Sequence, residues 1–282
     1  MKINSISSTD SLYPERLKTI AKPPNVLYVR GILPSYALGV AIIGTRKPTP
    51  YGRHVTTELA ERLAERGAVI VSGLAHGVDG IAHEGALRVG GLTIAVMAGG
   101  LEQIYPRTHD ALGHRITESD GALVGEYPSG TPPLQYRFLE RNRLVSALSD
   151  ILIVTEAGLR SGTINTVSAA LEQGKDVYVV PGPITSPMSA GCNALIAQGA
   201  TPIVSIDSFV EQLFPHPSRK QVSLLAQNED EQRILELLAQ GVSDGETLQA
   251  DCHLTPSLYA QTITMLEIRG AIRSLGANRW SL

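Results

Sequence analysis

The sequence predicts an α/β protein with a doubly wound, mostly parallel sheet, followed by a small C-terminal winged-helix domain. Three observations carry this. Short apolar runs recur as far as Phe214, most of them continuous rather than alternating, as strands covered on both faces require. Helical patterns lie between most of them, and strand–helix alternation implies parallel pairing. Beyond Phe214 the pattern changes to three helices and a short hairpin.

The expected strands are VLYV (26–29), VAIIG (40–44), VIVSG (69–73), TIAVMAG (93–99), ALVGEY (122–127), ILIVTEA (151–157), VYVVPG (177–182) and PIVSI (202–206). The clearest helix has Val55, Leu59 and Leu63 at four-residue spacing and stops at Gly67. Several strands end in glycine, at Gly44, Gly73, Gly99 and Gly182, so backbone approaches something closely at that edge. Residues 1–214 form the predicted larger domain and 215–227 a linker. In 228–282, EDEQRILELLAQG is a helix with Ile234, Leu237 and Leu238 inward. Ser243 and Thr255 open the next two helices as N-caps. AIRSL, GAN and RWSL complete a hairpin.

Composition narrows the function classes. Net charge is −3, so no global basic signal points to nucleic acid. From Asn228 onward, however, eight acids face four arginines, a balance of −4, which leaves +1 for the rest and room for a focused basic patch. Cys192 and Cys252 stand far apart in no metal spacing and read as free thiols of a reducing compartment. The start has no apolar leader region, and no apolar run approaches the ~20 residues that cross a bilayer. The expectation is a cytoplasmic protein without membrane contact.

Four segments could carry chemistry. Gly44-Thr45-Arg46 follows a strand with backbone N–H groups, a hydroxyl and a guanidinium, which together suit an anion. It is neither a Walker A loop nor GxGxxG, and a plain structural turn fits it about as well. SGLAHGVDGIAHEGAL (72–87) turns tightly at Gly73 and Gly77, with Asp79 expected to cap the next helix. A metal site of His76, Asp79 and His83 lacks an evident fourth ligand, and a packed histidine is the plainer reading of His83. YRFLERNRLVSALSD (136–150) places Arg137 and Arg141 at i and i+4, with Arg143 and Phe138 close by. Cations tracking phosphates beside a ring that stacks a base are how single strands are held without sequence reading. In TEAGLRSGTINTVSAALEQGKDVYVVPG (155–182) a helix begins near Ser161, its N-terminus offering a second anion site, with Lys175 leading into the next strand. Glu156 could act there as an acid or base on a nucleotide.

These segments, in this order, resemble the DprA/Smf family of DNA-processing proteins. The resemblance runs from YPERL (13–17) and PPNVLYVRG (23–31) through GTRKPTPYG, SGLAHGVDGIAH, YP (105–106), EYPSG, RFLERNRLVSALSD, EAGLRSGT and VPG to SAGCNALIAQGA, roughly residues 12–214. It implies an extended Rossmann-like fold that binds and protects single-stranded DNA, helps load RecA recombinase during natural transformation, acts as a homodimer, and carries no catalytic residues, cofactor or metal. It implies that Gly44, Thr45 and Arg46 hold a DNA phosphate and that Arg137, Phe138, Arg141 and Arg143 line the same pocket, with Lys175 nearby. Gly73 and Ser161 join this DNA-binding set from the strand-end and helix-start readings. The chain departs from the family in Lys22 and in Leu139 and Glu140 before the RNR triplet, and the N-terminal helical domain many members carry is expected to be missing.

Two other readings stay open. One is an enzyme resembling the lysine-decarboxylase-like nucleotide phosphoribohydrolases, whose PGG-x-GT-x-x-E signature would place glutamate where this chain has Thr166. The other is a regulatory module that senses a nucleotide. For the winged-helix domain, the acidic balance and Arg269 as the sole cation of 255–270 favour a protein-contact role over duplex binding.

Overall fold

A computed structural model describes residues 2–214, 225–276 and 278–282. The expected linker at 215–227 lies mostly outside them. The described chain divides into two compact units, Met1–Ile206 and Asp207–Leu282.

In the first unit the strands are β1 (Ile3–Ser7), β2 (Val26–Gly31), β3 (Gly39–Ile43), β4 (Val69–Ser72), β5 (Thr93–Val96), β6 (Ala122–Gly125), β7 (Ile151–Val154), β8 (Asp176–Val179) and β9 (Thr201–Pro202). They form one sheet in the order β1-β2-β6-β5-β4-β3-β7-β8-β9. From β3 the chain winds outward through β4, β5 and β6, then returns to the other side of β3 for β7, β8 and β9. Pairing is parallel throughout that run, Ile43 standing opposite Val154, while β1 and β2 attach antiparallel at the far edge.

The continuous apolar runs have the cause the sequence suggested. Val40, Ala41, Ile42 and Ile43 are all buried, and alternate residues face opposite sides of the sheet. Ala41 and Ile43 pack in one cluster with Leu144, Val145 and Val167. Those come from α5 (Gln135–Ala147) and α6 (Thr163–Glu172). Helix α3 (Val78–Arg88) packs between α2 (Pro50–Glu65) and α4 (Asp110–Glu118), touching both. Thr49 caps α2, its hydroxyl accepting from Gly52 N at 3.2 Å, and Pro50 fits the first turn because its missing N–H would have had no partner there. The short α1 (Glu15–Lys18) and α7 (Ala190–Ala197) complete the unit.

Two expectations fail here. Of the expected strand 202–206 only Pro202 falls in a strand, β9 ending there, and Val204 is exposed. The sequence reading also passed over β1, an edge strand whose serines give no apolar run.

The second unit holds α8 (Ile206–Leu213), α9 (Glu229–Ala239), α10 (Gly245–Asp251), α11 (Pro256–Ile268) and the hairpin β10 (Arg273–Gly276) with β11 (Arg279–Ser281). Ile234, Leu235, Leu238, Leu248, Ile263 and Leu266 form its core. Ile234 and Leu238 are inward as expected, Leu235 is fully buried as well, and Leu237 packs half-buried against the same core. Thr255 caps α11 as expected, but Asp244 rather than Ser243 caps α10, accepting from Thr247 N at 2.9 Å. A carboxylate is the stronger acceptor at a helix start, where the dipole favours negative charge.

Candidate nucleic-acid interface

The strand order reverses between β3 and β7, and open α/β sheets bind ligands beyond the carboxyl ends of strands at such a switch point. A cleft of about 810 Å³ opens there. Gly44, Thr45 and Arg46 leave β3 into it, Gly73 leaves β4, and the 158–163 turn leads from β7 to α6. The inner end of α5 supplies Phe138, Arg141 and Asn142.

The Gly44–Arg46 loop is held by backbone. Thr45 N donates to Glu156 O at 2.7 Å, and Thr45 O accepts from Val78 N at 3.1 Å. Gly77 makes this closeness possible. It sits at φ +78°, and a Cβ there would come within 2.4 Å of Thr45 O. The loop is therefore clamped while Arg46 projects into solvent, its Cζ 5.7 Å from the Phe138 ring centre. Tyr105 meets the same ring edge-on at 5.7 Å, so the cleft wall carries an aromatic pair.

Arg141 behaves differently. It is 4% exposed and donates to Gly73 O at 2.7 Å and to Val96 O. A Cβ on Gly73 would lie 2.2 Å from this guanidinium. What approaches the strand-end glycine is thus the protein's own cation. Burial pulls Arg141 down to about 10, opposed by the charge of Asp79. Burial likewise raises Asp79, and Arg141 counters it.

The expectation that Asp79 caps α3 is corrected. Gly77 occupies the cap position, and Asp79 turns back to accept from Gly73 N at 3.2 Å and Ala75 N at 3.4 Å. The buried guanidinium draws the carboxylate inward. His83 is buried and bonded through Nδ1 to Thr93 Oγ1 at 2.6 Å, while His76 packs edge-on against His109.

Of the other predicted residues, Ser161 and Thr163 line the cleft, the Ser161 hydroxyl accepting from Thr163 N at 3.2 Å. Arg137 lies half-buried over the Tyr127 ring, at 5.0 Å, and donates to Pro132 O. Arg143 is turned from the cleft by a two-point pair with Glu126, at 2.8 and 2.6 Å. Lys175 precedes β8 and so sits at the amino edge of the sheet, opposite the cleft. The structure brings none of Arg137, Arg143 and Lys175 to the cleft lining, Arg137 being held instead by Pro132 O and the Tyr127 ring. Glu156 is also withdrawn. It is 2% exposed, and both carboxylate oxygens accept from Thr49, from N at 2.8 Å and Oγ1 at 2.7 Å. Glu156 is not part of the cleft lining, and Thr166 stands on the cleft wall where the phosphoribohydrolase signature needs a carboxylate.

Lys47, Arg160, Asn142 and Tyr105 line the cleft and were not singled out, although each lies within or beside a motif already noted. Arg46, Lys47 and Arg160 are exposed, and no acidic partner holds them among the described residues. The one acid of the lining, Asp79, is already balanced by Arg141. The cleft therefore presents net positive charge beside two rings.

Comparison with known proteins shows the family. The family model for DNA recombination-mediator protein A matches residues 4–214, and that for the DprA winged helix domain matches 218–278. The chain belongs to the DprA/Smf family. A relative from Mycobacterium tuberculosis is 41% identical over 249 residues, covering 86% of this chain and 64% of its own length. Protein Smf of Escherichia coli is 43% identical over 209 residues, 74% of this chain and 56% of that protein. The chain thus spans a little over half to two thirds of these relatives. The structure of DNA processing protein A from Helicobacter pylori, described for its single-stranded DNA binding mode, superposes with a TM-score of 0.69 at 37% identity. It covers 76% of this chain and 96% of that one. The DprA fold, its mostly parallel sheet and its winged helix are common ground. Among the described residues no helix is long and apolar enough to cross a membrane.

Proposed function

We propose that this chain binds single-stranded DNA in the switch-point cleft. Arg46, Lys47 and Arg160 hold backbone phosphates, the clamped Gly44–Arg46 loop and the Ser161–Thr163 turn add hydrogen-bond donors, and Phe138 with Tyr105 takes a base. The observation that carries the reading is the set of three exposed cations, without acidic partners among the described residues, around a cleft walled by an aromatic pair. A mononucleotide would need fewer cations. A duplex, with its bases stacked inside, would leave the rings unused. Arg141 and Gly73 serve this site from beneath by fixing the floor against which Phe138 lies.

The role is protective and preparatory rather than catalytic. The bound strand is shielded and then handed to a RecA-type recombinase during natural transformation or recombination, in the cytoplasm, by a homodimer. Family membership supports these last steps.

The test is fluorescence anisotropy with a labelled poly-dT strand, challenged by unlabelled single strand or duplex. Single strand is expected to compete at least ~10-fold better, since stacking on a ring is worth ~1–3 kcal/mol per base. Equal competition by duplex at one salt would rule the reading out.

A further inference from the structure

A second groove, of about 570 Å³, borders the cleft and shares Arg46 and Lys47 with it. Arg53, His76, Glu84 and His109 complete its polar lining. Arg53 comes from the first turn of α2, and His76 stands just before α3. Both helix starts turn their positive dipole ends to this rim. Arg53 is exposed and, like Arg46 and Lys47, has no acidic partner among the described residues. Glu84 is the single carboxylate of the lining. His109 is fixed in the wall by a 2.9 Å bond between Nδ1 and Leu74 O, and it supports His76 edge-on at 5.2 Å.

The chemistry of the groove differs from that of the cleft in one respect. Its lining has cations and imidazoles but no Phe, Tyr or Trp. It suits phosphate and offers a base nothing to stack on. Because Arg46 and Lys47 belong to both cavities, a strand gripped at the loop passes from one to the other without leaving a cation.

Resting on the function proposed above, we infer that this groove is a second phosphodiester subsite. It is occupied by the backbone of the same single strand after it crosses Arg46. The cleft holds bases and backbone, and the groove extends the footprint by backbone alone.

The experiment compares two dT oligonucleotides of about 5 and about 15 nucleotides, near the limits of ~4–16 that single-strand sites span, on the full chain by anisotropy. Arg53→Ala is expected to weaken the longer strand ~10-fold, the scale of one charge-assisted contact. It should leave the shorter one unchanged and reduce the longer strand's salt slope by about 0.7. His76→Ala should act in the same direction, more weakly. Equal loss on both lengths, or none on the longer, removes the subsite. So does saturation by two short strands per chain, since the groove would then take a separate molecule. If the unaltered protein binds neither strand, the function proposed for the cleft fails instead, so the two failures are distinguishable.

Discussion

Arg137 and Arg141 sit one turn apart on α5 and differ in nearly everything else. Arg137 rides over a tyrosine ring, while Arg141 is enclosed and neutralises Asp79. Removing one member of a buried pair leaves the other charge uncompensated. Arg141→Met is therefore expected to cost on the order of 3–5 kcal/mol in urea unfolding, and Arg141→Met with Asp79→Asn should recover a good part of it. A near-neutral single variant would show that the guanidinium is not the support of this floor. His83 gives a second expectation. Burial lowers it from 6.5 to about 3, so protons bind the unfolded chain more readily than the folded one. Its contribution is complete above the ordinary value and is lost as pH falls toward 3. Stability at pH 5 should be roughly 2 kcal/mol below that at pH 7.5, and His83→Gln should flatten this dependence. A variant with the same acid slope would place the titration elsewhere. At this scale the sequence was only partly legible. Gly-Thr-Arg could be read because a cation directly after a strand-end glycine has few places to go. Arg143 could not, because Glu126 arrives from a different strand connection and captures it.

Elements were legible where burial dictated composition. Strands β3 to β8 announce themselves because nearly every position is covered, whereas β1 and β9 lie at the two margins of the sheet and carry no such run. Lys175 was readable in principle, since a residue entering a parallel strand lies at the edge opposite the ligand crevice. The acidic winged-helix unit bears out its sequence in one detail. Arg269, the sole cation near the end of α11, pairs with the buried Glu231 of α9 at 2.6 Å. That helix keeps no free cation for a phosphate. The second unit, which has its own core, is expected not to shift a labelled duplex at physiological salt when expressed from residue 225 onward. Tight duplex binding by that fragment would assign it a DNA-reading role.

For the whole molecule, a net charge of −3 hides a local arrangement. The fold brings the loop after β3, the turn after β7 and part of α5 to one crevice, and it leaves Arg46, Lys47 and Arg160 there without acidic partners among the described residues. No count of charges along the chain could have shown this, because the three cations come from two sides of a switch point that only the strand order creates. The most direct test measures single-strand affinity for the unaltered chain and for Arg46→Ala across a salt series. If about three phosphates are held, log K should fall with log salt at a slope near −2, from ~0.7 per phosphate. Arg46→Ala should lose on the order of 1.5–3 kcal/mol and shallow the slope by about 0.7. Unchanged affinity and slope in Arg46→Ala would contradict the account and place the strand, if one binds at all, away from this loop.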